Sequence, residues 1–305
     1  MTFAADHAID RRRLKRRLSA WRIVAILALA GLAIAGIARA TGVTVGKYVA
    51  RVAIKGVIVS DLERDRAITD LADDKQVRAV IVHLDTPGGT VVGGERLYHA
   101  LRKVAEKKPV VAVMGATATS AGYMVALGAD RMVADQGSIT GSIGVIMQTT
   151  DLSKLLETLG IGTEAIKSGA LKGVPSPFEK MSPEARQASK DVVDDMHAMF
   201  LDMVVERRNL SRDIVRGLAD GRVYTGRQAL EKGLVDELGG EDTARSWLKK
   251  ERGIDDKLPA RDVDLETSAR GLVGLDRAMA WIMGGKTLLS ERLTLDGLVS
   301  VWHPQ

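Results

Sequence analysis

Residues 109–124 read Pro109-Val110-Val111-Ala112-Val113-Met114-Gly115-Ala116-Thr117-Ala118-Thr119-Ser120-Ala121-Gly122-Tyr123-Met124. The run from Val110 to Ala116 has the apolar, Val-rich make-up of a buried strand, and Ser120 opens a short helix expected to reach Gly128. A serine at a strand-to-helix turn is placed to act as a nucleophile. A second apolar run, Val77 to Leu84, closes on Asp85-Thr86-Pro87-Gly88-Gly89. The N–H groups of such a paired-glycine turn can receive an oxyanion. The two turns read as the halves of an acyl-transfer site.

The same rhythm extends outward. Tyr48 to Ser60 is a Val- and Ile-rich strand, and Asp61 caps a helical stretch from Leu62 to Ala72. A helix runs from about Gly94 to Glu106, and another strand from Arg131 to Ala134. Repeated strand-turn-helix units predict an α/β core on a parallel sheet. Ser182-Pro183-Glu184 starts a long helix with a cap and a first-turn proline. Val192, Val193, Met196, Met199, Phe200, Met203 and Val204 give that helix one apolar face, read as core or subunit contact. Gly239-Gly240 precedes a helix to about Arg252. Gly253 to Ser268 is polar and reads as a linker, and Arg270 to Gln305 as helices packing on the body or a partner.

The sequence pI near 9.4 invites a nucleic-acid partner, but the charge is in the wrong place for one. Arg11, Arg12, Arg13, Lys15, Arg16, Arg17 and Arg22 face only Asp6 and Asp10 in the first 22 residues, a net of +5 that equals the whole chain's +5. Everything after residue 22 is formally neutral. Ile23 to Ala38 then carries no charge. At about 1.5 Å per residue a helix of that length falls somewhat short of a ~30 Å bilayer. Arg22 and Arg39 can snorkel, and the small residues beyond Arg39 extend the span. Basic residues ahead of it place the N-terminus in the cytoplasm and the remainder outside. A cleaved signal peptide ending near Ala38-Arg39-Ala40 and a buried core helix are the competing readings. With no cysteine in the chain, disulfides and thiolate metal sites are excluded.

A serine hydroxyl needs a base within reach. No histidine lies between Ser120 and His197, which sits in the amphipathic helix. His83 lies on an apolar strand and reads as a packed or rim side chain, and His99, His7 and His303 are no better placed. Among Lys154, Lys167, Lys172 and Lys180, Lys172 stands out. It lies in the small-residue loop Ser168-Gly169-Ala170-Leu171-Lys172-Gly173-Val174-Pro175-Ser176-Pro177. To serve as a base near neutral pH its ammonium must be disfavoured by roughly 4 kcal/mol, which burial can supply.

Taken in order, Asp85 to Gly89, Thr119 to Tyr123, Ile139-Thr140-Gly141-Ser142-Ile143-Gly144-Val145, Lys167-Ser168-Gly169 ahead of Lys172, Gly221-Arg222-Val223-Tyr224-Thr225-Gly226 and Gly233-Leu234-Val235-Asp236 make a composite pattern. Over about residues 50–250 the chain resembles the short form of the signal peptide peptidase A family, Ser-Lys peptidases of the Clp-protease/crotonase superfamily. The resemblance implies Ser120 as nucleophile, Lys172 as general base and Ser142 as the hydroxyl that orients the lysine. It implies an oxyanion hole from Gly88 or Gly89 with the N–H of Ala121. It also implies a ring-shaped homo-oligomer, with serine and lysine facing each other across a subunit boundary. Where the family usually has Asn-Ser before Pro-Gly-Gly, this chain has Asp85-Thr86.

The expected organisation is a cytoplasmic basic tail (1–22), a transmembrane anchor (23–42), a peptidase domain outside the cytoplasm (43–252) and a C-terminal extension (253–305). Expected substrates are released signal peptides and other unfolded peptides; no metal, nucleotide cofactor or nucleic acid is implied. The rivals are an acyl-CoA hydratase or isomerase of the crotonase class, a protease partnered with stomatin, and an inactive membrane scaffold.

Overall fold

The computed structural model describes residues 17–18, 21–29, 31–32, 46–263, 265 and 299–301. The chain divides into two units, Met1–Gly46 and Lys47–Gln305. In the first, residues 21–29 are helical and exposed, and most of the remaining 23–42 span lies outside the described residues. Among the described residues, no helix is long and apolar enough to cross a membrane.

In the second unit the strand-turn-helix units are β1 (Tyr48–Lys55), α1 (Leu62–Asp70), β2 (Val77–Thr86), β3 (Gly88–Thr90), α2 (Val91–Ala105), β4 (Val110–Thr119), α3 (Ala121–Ala126), β5 (Arg131–Ala134) and β6 (Ile139–Gly141). There follow α4 (Ser153–Thr158), α5 (Pro183–Arg208), α6 (Arg212–Leu218), β7 (Val223–Thr225), α7 (Gly226–Glu231), β8 (Glu237–Leu238), α8 (Glu241–Arg252), β9 (Ala260–Asp262) and β10 (Val299–Val301). The main sheet runs β7-β6-β4-β2-β1-β9, with β5 also beside β4 and carrying β8. Its pairings are parallel except β6 with β7. This is a mixed α/β fold.

Alternation along the strands feeds two apolar layers. Ala50, Val52, Val80, Val82, Ala112 and Met114 pack with α2, α3 and α5, while Val49, Ala79, Ile81, Val111, Val113 and Val133 pack beneath Ala244 and Leu248 of α8. Central strands buried on both faces read as continuous apolar runs.

Local chemistry sets the ends. Asp61 accepts from the N–H groups of Glu63 and Arg64, and Ser182 from that of Ala185. The first strand stops at Lys55, short of Ser60, because Gly56 turns the backbone at φ 68°. The α2 helix begins ahead of Gly94 because Thr90 caps it through the N–H of Gly93 at 3.0 Å. Gly94 is needed inside the helix: a Cβ there would lie 3.0 Å from that of Ala121.

Two expectations are corrected, for the polar stretch after Gly253 and for the tail. The polar stretch after Gly253 is more than a linker, since Ala260–Asp262 pairs parallel with β1 and covers an edge that would otherwise present unpaired backbone groups. The apolar stripe of α5 supplies core through buried Phe200, Met203 and Val204, with Met196 and Met199 packed against it and Val192 exposed. Within the tail, residues 299–301 form a strand rather than a helix; the rest of Arg270 to Gln305 lies outside the described residues.

Candidate active site

The parallel register of β2 and β4 sets Thr86 opposite Ala118. Gly88 and Ser120 each follow two positions later, so the glycine turn and the serine turn emerge side by side at neighbouring strand ends. Ligands of open parallel sheets bind at such carboxyl ends.

Ser120 is buried and caps α3 with φ 57° and ψ −120°. A non-glycine residue in this region is strained by about 1–3 kcal/mol, so the surroundings must hold it. They do so through its N–H, which donates to the Gly141 carbonyl at 2.8 Å. On the next turn, Ser142 is also buried, with φ 50°, and its N–H donates to the Arg222 carbonyl at 2.8 Å. The Gly221–Gly226 motif thus supports the turn that carries Ser142. Tyr224 packs so closely there that a Cβ on Gly141 would lie 2.6 Å from its ring.

The glycine turn is held as tightly. Gly88 has φ 107°, a conformation reserved for glycine. A Cβ on Gly89 would fall 1.8 Å from the Ile58 carbonyl oxygen. Thr86 Oγ1 donates to the Gly56 carbonyl at 2.5 Å and accepts the Gly88 N–H at 3.0 Å. A Cβ on Gly122 would meet the Thr86 methyl at 2.6 Å, so this threonine also sets the spacing between the two turns. Thr86 departs from the Asn-Ser expected before Pro-Gly-Gly, yet its hydroxyl anchors the turn. That role, like Ile58 and the Arg222 carbonyl, was missed in the sequence, because the partners come from distant segments.

Of the residues expected at the site, Ser120, Ala121, Ser142, Gly88 and Gly89 are gathered at these adjoining turns. Lys172 is not. Residues 168–173 are exposed throughout, and Lys172 sits in a turn closed by its own N–H to the Gly169 carbonyl at 3.0 Å. Lys167 is engaged by Glu179.

The other polar groups are structural. Buried Tyr123 donates to the Leu234 carbonyl at 2.8 Å, and burial pushes its phenol above the usual range. Asp236 accepts from the Met132 N–H and from Arg208, both at 2.7 Å, which gives the Gly233–Asp236 motif its purpose. His83 is half-buried, as a rim histidine, 3.0 Å from Glu241. Burial works against the Glu241 charge. The Arg245 hydrogen bond and the nearby charges of Arg51, Arg245 and His83 outweigh it and hold the carboxyl below its usual value. A groove of about 740 Å³ between α2 and α5, lined by residues such as Glu95, His99 and Asp202, includes none of the expected site residues.

The sequence matches the profile of peptidase family S49 over residues 102–255, a span holding Ser120, Ser142 and Lys172. A protein of Synechocystis sp., whose name marks it as a protease by inference, is 36% identical over 253 residues, covering 77% of this chain and 91% of that one. The chloroplastic serine protease SPPA of Arabidopsis thaliana is 28% identical over 245 residues, covering 76% of this chain but 36% of that longer protein. Among solved structures, a ClpP1 mutant from Listeria monocytogenes has a TM-score of 0.43 at 16% identity, covering 62% of this chain and 91% of that one. With its profile match and its relative in Synechocystis, this chain belongs to peptidase family S49 and is a serine protease of the signal peptide peptidase A family.

Proposed function

We propose that the protein is a membrane-anchored endopeptidase working through a Ser120–Lys172 dyad. The neutral Lys172 amine takes the Ser120 proton as Oγ attacks a peptide carbonyl, then passes it to the departing amine. The acyl-enzyme is hydrolysed by water that the same amine deprotonates. The N–H of Ala121 and that of Gly88 or Gly89 hold the oxyanion, and Ser142 accepts a hydrogen bond from the lysine and orients it.

An exposed lysine is a poor base, so a second copy of this chain must cover Lys172. The same stretch exposes Leu155, Leu159, Ile161, Ile166, Leu171 and Phe178, an apolar surface suited to burial in a ring. The anchor is residues 23–42, with the catalytic unit outside the cytoplasm. Substrates are released signal peptides and other unfolded peptides, which alone can thread a narrow ring. What supports this reading above all is the buried, left-handed Ser120 beside the paired-glycine turn. A fluorophosphonate probe should label the wild-type chain at Ser120, and equal labelling of Ser120→Ala would reject the assignment.

A further inference from the structure

Tyr48 opens β1, at the end of the parallel strands away from Ser120, which follows the last residue of β4. It sits beside Val77, the first residue of β2. Its N–H donates to the Gln76 carbonyl at 2.9 Å and its hydroxyl to Asp74 at 3.0 Å. At this end a cavity of about 320 Å³ is lined by Val77 and by Pro109, the residue before β4. Its walls carry Lys75, Arg78, Lys107, Lys108 and Arg252 against one carboxylate, Asp74. Asp74 is engaged by Tyr48 and by the N–H of Gln76. Nearby Asp73 pairs with Lys107 at 2.5 Å, and Lys108 is held by the carbonyls of Leu71 and Asp74. Lys75, Arg78 and Arg252 are exposed.

We propose that this basic end is a membrane-facing surface that seats on the anionic phosphate headgroups of the bilayer. The proposal rests on the anchor at residues 23–42 put forward above, and says which side of the catalytic unit is held against lipid. Residues 43–47 join that anchor to Tyr48. Even fully extended they reach only roughly 20 Å, so the chain ties the basic end closest to the membrane. An anchor alone fixes nearness, not the face presented. The cations supply the face, because each Lys or Arg close to an anionic leaflet favours contact by about fivefold. The eight residues of β1 span roughly 25 Å. Ser120, beyond the far end of the sheet, then stands about that far from the headgroups, and peptides reach it from the aqueous side.

The chain has no cysteine, so Gln76→Cys places a single fluorescent label at the basic end. The full-length chain is reconstituted in vesicles with quencher on their lipid headgroups, either of phosphatidylcholine alone or with about a third phosphatidylglycerol. We expect quenching in the anionic vesicles, little in the neutral ones, and loss of the difference in about 1 M salt. Lys75→Gln combined with Arg78→Gln and Arg252→Gln should shift the docked-to-undocked ratio at least about tenfold. Arg78→Lys with Arg252→Lys keeps the charge and should stay docked. Equal quenching in neutral and anionic vesicles, or a glutamine variant that stays docked, overturns the surface. Quenching that inorganic phosphate relieves at constant ionic strength assigns the cavity to a free anion and overturns the lipid assignment. Failure of the anchor reading would appear separately, as full-length chain that does not float with neutral vesicles.

Discussion

The N–H of Ser120 donates to the carbonyl of Gly141 at 2.8 Å, and this bond makes neighbours of two buried serines carried on separate turns. Ser142 follows Gly141 directly, so the turn that holds the backbone of the proposed nucleophile also carries the hydroxyl proposed to orient the lysine. Ser142→Ala should lower kcat about 10–100-fold while KM and assembly stay near wild type, because it removes orientation rather than binding. An unchanged kcat would take Ser142 out of the mechanism.

Lys172 is exposed on a turn, whereas Ser120 is buried. Lys172→Ala should abolish peptide hydrolysis without altering the assembly seen by light scattering. Co-expressing Lys172→Ala with Ser120→Ala should return about a quarter of wild-type activity, as expected when each site draws its serine and lysine from adjoining, randomly mixed subunits. No recovery in mixed assemblies would confine the two groups to one chain.

Thr86 ties the glycine turn to Gly56 and receives the Gly88 N–H. Thr86→Val leaves those buried groups unpaired and should cost about 1–3 kcal/mol in urea unfolding, with a fall in kcat. Thr86→Ser keeps the hydroxyl and should recover most of both. A loss in Thr86→Ser with none in Thr86→Val would show that the methyl contact with Gly122, rather than the hydrogen bonds, matters.

Gly89 admits no side chain beside the Ile58 carbonyl. Gly89→Ala should push the turn off its edge, lowering Tm by several degrees and kcat/KM by more than about a hundredfold. A crystal structure of the variant with Ile58 and residue 89 unmoved would contradict this account.

Glu241 joins Arg245, Arg51 and His83 where α8 meets the sheet. Its carboxyl titrates below the ordinary value in the folded chain, so its stabilisation is present above the unfolded value and is lost as pH falls through the folded one. Glu241→Gln should therefore cost roughly 1–2 kcal/mol at neutral pH, and the difference from wild type should shrink as pH falls through the lowered titration of the folded carboxyl. A difference that persists in acid would assign the loss to packing.

The sequence by itself determined the repeated α/β core and the locations of Ser120, Gly88 and Gly89, because strand runs, caps and glycine turns are local signals; Ser142 stands out only through the family resemblance. Asp61 and Ser182 cap where their spacing predicted, and Val77 begins its strand as read. Other features depend on partners distant along the chain, and only the tertiary structure decided those. Nothing near Thr86 in the chain announces Gly56, nor anything near Ser142 the Arg222 carbonyl. The pairing of Ala260 with Val49 was hidden because a short edge strand needs only backbone groups, which polar residues supply as well as apolar ones. For the same reason the strand at Ser300, set against Gly89, left no mark in the pattern of side chains.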